Sequence, residues 1–362
     1  MLKYKYKRYR LPELLSLVLP LAAWVLYFFG IGSSGWLQTA SGLLLVGCVL
    51  SAVHHAEIVA HRVGEPFGTI ILALAITVIE VALIVSLMIA GGDSAAKLAR
   101  DTVFAAIMLI LNGILGLCLM VGGLKHYEQF FGKKSASTAL VTLVSILVLT
   151  LVLPNFTTST VGPTYSTEQM VFVAVVSLVL YISFMLMQTV RHRDYFLPEG
   201  VVHQGHAAPP SWGAALTSLC FLLICLVIVV LSAKSLSPTV EAVLADWGAP
   251  QALVGVIIAA VVLMPEGLAA VAAARRNLLQ TSINLALGSA LASIGLTIPA
   301  VVFVCLMYDV PVVLGLDFKS MILLALSSFV VMLSLNQGRT NMMYGIVLLV
   351  NLAAYVFTVI VP

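Results

Sequence analysis

Charge is what this sequence has least of. Of its 362 residues, 9% are Asp, Glu, Lys or Arg, where a soluble domain carries about a quarter. Hydrophobic residues make up 61% and the mean hydropathy is +1.12. That balance excludes a soluble enzyme or binding domain and places the chain among polytopic membrane proteins. The net charge of +3 is too small to draw a nucleic acid, and basic residues in such proteins chiefly set orientation. Cysteine is sparse as well. Cys48, Cys118, Cys220, Cys225 and Cys305 lie in apolar runs without C-x-x-C spacing, which excludes a zinc framework or a disulfide scaffold and leaves small packing residues. No A-x-A-like cleavage site follows the basic opening MLKYKYKRYR and its apolar run, so that run is expected to be a retained span rather than a signal peptide. No polar stretch is long enough for a soluble domain. The longest, RHRDYFLPEGVVHQGHAAPPSW at 191–212, reads as a cytoplasmic linker.

What the sequence has instead is apolar runs. A helix needs about 20 such residues to cross the hydrocarbon core. Eleven runs qualify, at 11–30, 37–60, 66–90, 102–124, 136–153, 169–190, 213–233, 251–273, 280–306, 320–335 and 342–361. With the N-terminus inside, only Lys97, Arg100, Lys234 and Lys319 of the 18 Lys and Arg fall outside, and cytoplasmic loops are the ones enriched in these residues. One missed helix would reverse every later loop, so the asymmetry supports the count. The expected topology is N-terminus cytoplasmic and C-terminus outside.

With the first helix (1–36) set aside, the linker leaves five spans in 37–190 and five in 213–362. Each half carries one glutamate in its second span, in GEPFGTIILALAITVIEVALIVS and GAPQALVGVIIAAVVLMPEGLAAVA. Both stretches open with G-x-P. Glu80 follows Pro66 by 14 residues and Glu266 follows Pro250 by 16. An odd number of spans per half turns the second upside down relative to the first. The fold class is therefore an all-α polytopic membrane protein of eleven transmembrane helices, one N-terminal helix plus two inverted five-helix repeats, an architecture that places ion sites at the midplane.

A charge at the helix centre costs about 2.5–3.5 kcal/mol on the insertion scale. A glutamate there must be protonated, paired or bound to a cation, and no Lys or Arg lies in the middle of any span. Burial favours the protonated form and a cation favours the ionised one. That competition is the chemistry of a cation/proton antiporter. Glu80 and Glu266, as metal ligands among hydroxyl, amide and carbonyl oxygens, suit Ca²⁺, which takes six to eight oxygens. Pro265 cannot donate to the carbonyl of Val261, which frees that oxygen beside Glu266. Thr77 lies one turn before Glu80. Ser289 and Ser293 share a small-residue face with Gly288 and Gly295, and Asn112 sits in the middle of the fourth span. Thr77, Ser289 and Ser293 read equally well as helix-packing residues, and Asn112 as interhelical glue.

HHAEIVAHR places His54, Glu57 and His61 on one face of the second span near its inner end. Histidine titrates near neutral pH, so this face is a candidate cytoplasmic access point for protons or cations, or a pH sensor. A polar interfacial face without chemistry fits it too. An intramembrane metalloenzyme would need a second His or Asp cluster at the same depth, and His126, His192, His203 and His206 lie in loops. A passive cation channel also lines its pore with carboxylates, but one glutamate in each mirrored half favours alternating access.

The stretches HHAEIVAHRVGEPFGTIILALAITVIEVALIVSLM, RDTVFAAIMLI, MPEGLAAVAAARRN, LALGSALASIGLTIPAV and GRTN together resemble the bacterial calcium/proton (sodium-potassium/proton) antiporters of the cation/proton exchanger family, in the calcium/cation antiporter superfamily. The resemblance runs from about residue 50 to the C-terminus. It implies a two-repeat exchanger, not an enzyme, in which Glu80 and Glu266 take the cation and protons in turn. It implies no cofactor, only transported Ca²⁺ or a monovalent cation and H⁺. The partners it implies are inorganic cations, protons and the lipid of an inner membrane. The family usually reads G-N-x-x-E before each glutamate. Here those positions are Ile76-Thr77 and Val262-Leu263, which leaves room for Na⁺ or K⁺. The family's acidic helix between the halves is absent, with only Asp194 and Glu199 in the linker.

Overall fold

The computed structural model describes residues 10–29, 35–64, 67–196, 209–246, 248, 250, 252–308 and 310–361. These residues form eleven long helices: α1 (Arg10–Phe29), α2 (Gly35–Val63), α3 (Phe67–Gly91), α4 (Leu98–His126), α5 (Lys133–Phe156), α6 (Thr167–Arg191), α7 (Trp212–Asp246), α8 (Ala252–Arg275), α9 (Leu279–Tyr308), α10 (Phe318–Leu335) and α11 (Met342–Ile360). Ten are long and apolar enough to cross a membrane, while α1 contributes the shorter apolar stretch Glu13–Phe29. The protein is an all-α polytopic membrane protein. The expected spans and the observed helices agree in number and order. The largest difference is α7, expected to end at 233 and continuing to Asp246. Hydropathy marks where lipid ends, whereas an established helix propagates at little cost into polar sequence. Most of the expected 191–212 linker, and the basic opening at 1–9, lie outside the described residues.

Local signals set several helix ends. Ser166 and Gln169 form a reciprocal capping box at the start of α6, satisfying two amide donors. Asn341 caps α11 through Met343 N–H at 3.0 Å. Gly64, at φ +78°, ends α2, a conformation that an L side chain resists. Two short strands, β1 (Gln129–Phe130) and β2 (Arg339–Thr340), pair antiparallel between helix ends.

The chain forms two compact units, Met1–Ala90 with Gly205–Trp247, and Gly91–Gln204 with Gly248–Pro362. They cut across the two sequence halves, because each unit draws helices from both. In the first unit α2 packs along α7, and α1 lies against both. Gly47 permits the approach of α1, since a Cβ there would stand 2.9 Å from Leu19 Cδ1. The second unit is built around α4. Ile107, Met108, Ile110, Leu111, Leu115 and Leu119 are fully buried, as expected of a helix apolar on all sides and enclosed by others. Its middle, Leu109–Ile114, is a π turn. Helix α11 lies backbone to backbone on the far half of α4, where Gly345 meets Gly116 and Met120. Outward-facing Phe172, Val175, Val179 and Ile182 on α6 are exposed, as a lipid-facing surface requires.

Candidate functional site

Glu80 stands midway along α3 in the first unit, 3% exposed, and Thr77 one turn earlier is 5% exposed. Helix α3 contains no other ionisable residue. Its apolar sequence carries this carboxylate into the bilayer, where water cannot solvate it.

The remaining expected ligands lie in the second unit, on three helices around the π turn. Glu266 is half-buried on α8. Pro265 sits inside that helix without ending it, so the Val261 carbonyl receives no amide hydrogen from position 265. Ser289, on α9, donates its hydroxyl hydrogen to Glu266 Oε2. Ser293, one turn further, is buried. Gly267 brings α8 onto the π turn next to Glu266, where a Cβ would stand 3.3 Å from Ile114 Cδ1. Asn112 belongs to that turn and is wholly buried. Its amide donates to Ser327 Oγ at 2.9 Å and to the Met108 carbonyl at 3.3 Å. Asn112 Oδ1 has no hydrogen-bond partner among the described residues. A buried carbonyl oxygen in that condition costs free energy unless a ligand or water meets it.

The small-residue face of α9 is used only in part. Gly295 admits the Tyr181 ring of α6, whose Cβ lies 2.8 Å from where a glycine Cβ would be, whereas Gly288 faces open space. The histidine face divides similarly. His54 is half-buried, Glu57 and His61 are exposed, and no group of three His, Cys, Asp or Glu able to hold a metal ion occurs among the described residues.

Two residues of this unit-by-unit picture are not evident from the sequence. Ser327 of α10, 1% exposed, orients Asn112, but one serine in an apolar helix carries no distinguishing signal. His55 points inward from α2, with Nε2 3.3 Å from the Ser16 carbonyl and its ring 5.3 Å from Phe221. The tandem HH was the available sign, since adjacent helix positions face different sides.

A profile of the Sodium/calcium exchanger protein family matches residues 33–190 and 217–361. The chain belongs to the sodium/calcium exchanger family. This family member is 43% identical over 359 residues to the y4hA protein of Sinorhizobium fredii, covering 95% of this chain and 97% of that one. It is 34% identical over 357 residues to the sodium-potassium/proton antiporter ChaA of Escherichia coli, covering 95% of each. The crystal structure of the H⁺/Ca²⁺ exchanger CAX has the same fold, with a TM-score of 0.74 at 14% identity, over 96% of this chain and 88% of that one. At that identity the likeness concerns the fold alone.

Proposed function

We propose that this exchanger is a secondary transporter that moves a cation, Ca²⁺ first, against protons by alternating access, with Glu80 and Glu266 each holding cation and proton in turn. The observation that carries the reading is the surroundings of Glu266. A carboxylate midway along an apolar helix has the Ser289 hydroxyl on it and the freed Val261 carbonyl a turn away. Oxygen donors of these three kinds suit a hard cation. Asn112 Oδ1 adds an amide oxygen on the neighbouring π turn, and Thr77 and Ser293 add hydroxyls beside Glu80 and Ser289. No resident cofactor and no covalent chemistry is required.

The names of the relatives support cation/proton exchange and divide over the cation. ChaA of Escherichia coli is named for sodium and potassium. With Thr77 and Leu263 at positions where the resemblance expects asparagine, that is the observation favouring a second reading, Na⁺/H⁺ or K⁺/H⁺ exchange through the same residues. The two stretches matched by the family profile support a division into repeats at 37–190 and 213–362, with 1–36 ahead of them and 191–212 between. Orientation in an inner membrane with the N-terminus cytoplasmic follows from the Lys and Arg asymmetry. It puts His54, Glu57 and His61 at a cytoplasmic access point.

The test is proton flux in vesicles holding the purified protein, acid inside, with Ca²⁺, Na⁺ or K⁺ added outside. Ca²⁺ should dissipate the gradient in wild type, and Glu80→Gln and Glu266→Gln should abolish the flux. Flux with Na⁺ or K⁺ alone would transfer the assignment to the second reading. Flux in the variants equal to wild type would remove both glutamates from the mechanism.

A further inference from the structure

A groove of about 690 Å³ opens on the second unit between the start of α5 and the end of α10, lined by Lys133, Lys134, Ser137, Tyr195, Leu333 and Asn336 among others. We infer that it holds the headgroup and upper acyl carbons of an anionic phospholipid. Its chemistry is graded along two helices at once. On α5, Lys133 and Lys134 come first, Ser137 a turn later and Val141 a turn after that. At the end of α10 the order towards the membrane is Asn336, just past the helix, then Leu333 and Met332. Val141 is 65% and Leu333 55% exposed, so the apolar part of the groove is open for an acyl chain to lie along it. Free phosphate could use the lysines but not that stripe.

The lysines are available to a phosphate. Among the described residues neither Lys133 nor Lys134 forms an ion pair. The carbon stem of Lys133 lies on Gly338, its Cγ 2.8 Å from where a Cβ would stand. Lys134 Nζ is 4.9 Å from the Tyr195 ring centroid, and that ring stacks on His192 at 4.8 Å. A cation on an aromatic face keeps donors free for an anion.

The charge of the surrounding surface agrees. The same end of the second unit carries Lys125, Arg191, Arg193, Arg275, Arg276 and Arg339 as well, against Glu128 and Asp194. At the opposite end Lys97, Arg100 and Lys319 are outnumbered by Asp93, Asp101, Glu168 and Asp317 among the described residues. A basic pocket between membrane helices at a positively charged end is the arrangement that recognises anionic lipid headgroups.

Native mass spectrometry of the purified full chain tests this, using detergent micelles that contain phosphatidylglycerol or phosphatidylcholine. Wild type should retain phosphatidylglycerol at least tenfold more than phosphatidylcholine. Lys133→Gln with Lys134→Gln should lose that preference, and the corresponding Arg pair should keep it and show that the fold tolerates change there. Lys97→Gln with Lys319→Gln, at the opposite end, should behave as wild type. Equal retention of phosphatidylcholine, retention unaffected by the Gln pair, or stripping of phosphatidylglycerol by millimolar inorganic phosphate would overturn the proposal. The result is independent of which cation the protein carries.

Discussion

A carboxylate that exchanges a cation for a proton needs partners that can serve both of its forms. Ser289 can, because a hydroxyl donates to ionised Glu266 and can turn to accept from the protonated acid. Hydrogen bonds to charged groups contribute about 1.5–3 kcal/mol, so Ser289→Ala should raise the apparent KM for the cation by roughly tenfold or more, while Ser289→Thr stays near wild type. Proton flux in vesicles, titrated with cation, reads this directly. An unchanged KM in Ser289→Ala would remove the hydroxyl from the binding step. Ser327 acts one step away. It holds the Asn112 amide at 2.9 Å and so leaves Oδ1 as the free end. Ser327→Ala should raise KM a few-fold with Vmax little changed, since orientation is lost and no ligand is removed. A drop in Vmax at constant KM would contradict that positioning role. Glu80, Glu266 and Asn112 stand out in the sequence because a polar group in lipid is costly enough to need a reason. Ser327 and His55 do not, since one serine in an apolar helix, or the second of two adjacent histidines, carries no sign in the sequence of which way it faces.

At the scale of the element, α8 and α4 show opposite degrees of legibility. Pro265 removes one amide donor from the α8 hydrogen-bond ladder, and the helix continues through it. Pro265→Ala restores an amide hydrogen for the Val261 carbonyl, so it should stabilise the fold and weaken cation binding together. Thermal unfolding and transport KM in one preparation would show both, and a rise in stability without a loss of affinity would mean that the carbonyl is not a ligand. The π turn at Leu109–Ile114 left no trace in the sequence. An added residue in a helix shifts the register of an amphipathic pattern, but α4 is apolar all round and has no pattern to shift. The contact of α4 with α11 is likewise visible only in three dimensions. Glycines look alike in sequence, yet Gly345 has backbone against it and Gly42 has nothing within 4 Å. The same substitution should therefore have opposite signs. Gly345→Ala should cost about 1–3 kcal/mol through overpacking, and Gly42→Ala should be neutral or stabilising by up to about 1 kcal/mol through helix propensity. Equal unfolding temperatures for the two variants would show that α4 and α11 do not meet at that glycine.

At the scale of the whole molecule, hydropathy made the number and order of spans legible, because lipid imposes a minimum length on every crossing. The compact units were not legible. They depend on which helices pack together, and runs of Leu, Val and Ile give every helix the same offer to its neighbours. The proposed orientation rests on Lys and Arg, which in the second unit gather at one end. A thiol placed at each end turns that asymmetry into a measurement. Cys220 is the exposed native cysteine and the other four are buried, so a cysteine-free background with Arg276→Cys, Arg339→Cys or Lys319→Cys gives three reporters. In intact cells a membrane-impermeant maleimide should label Lys319→Cys at once, and label the other two only after permeabilisation. The reverse pattern would place the N-terminus outside and put the histidine face of α2 on the external side. It would also move the basic groove away from the leaflet that the Lys and Arg rule assigns to it. Labelling of all three in intact cells would mean an odd error in the span count on each side of position 319, where α9 and α10 are the single crossings among the described residues.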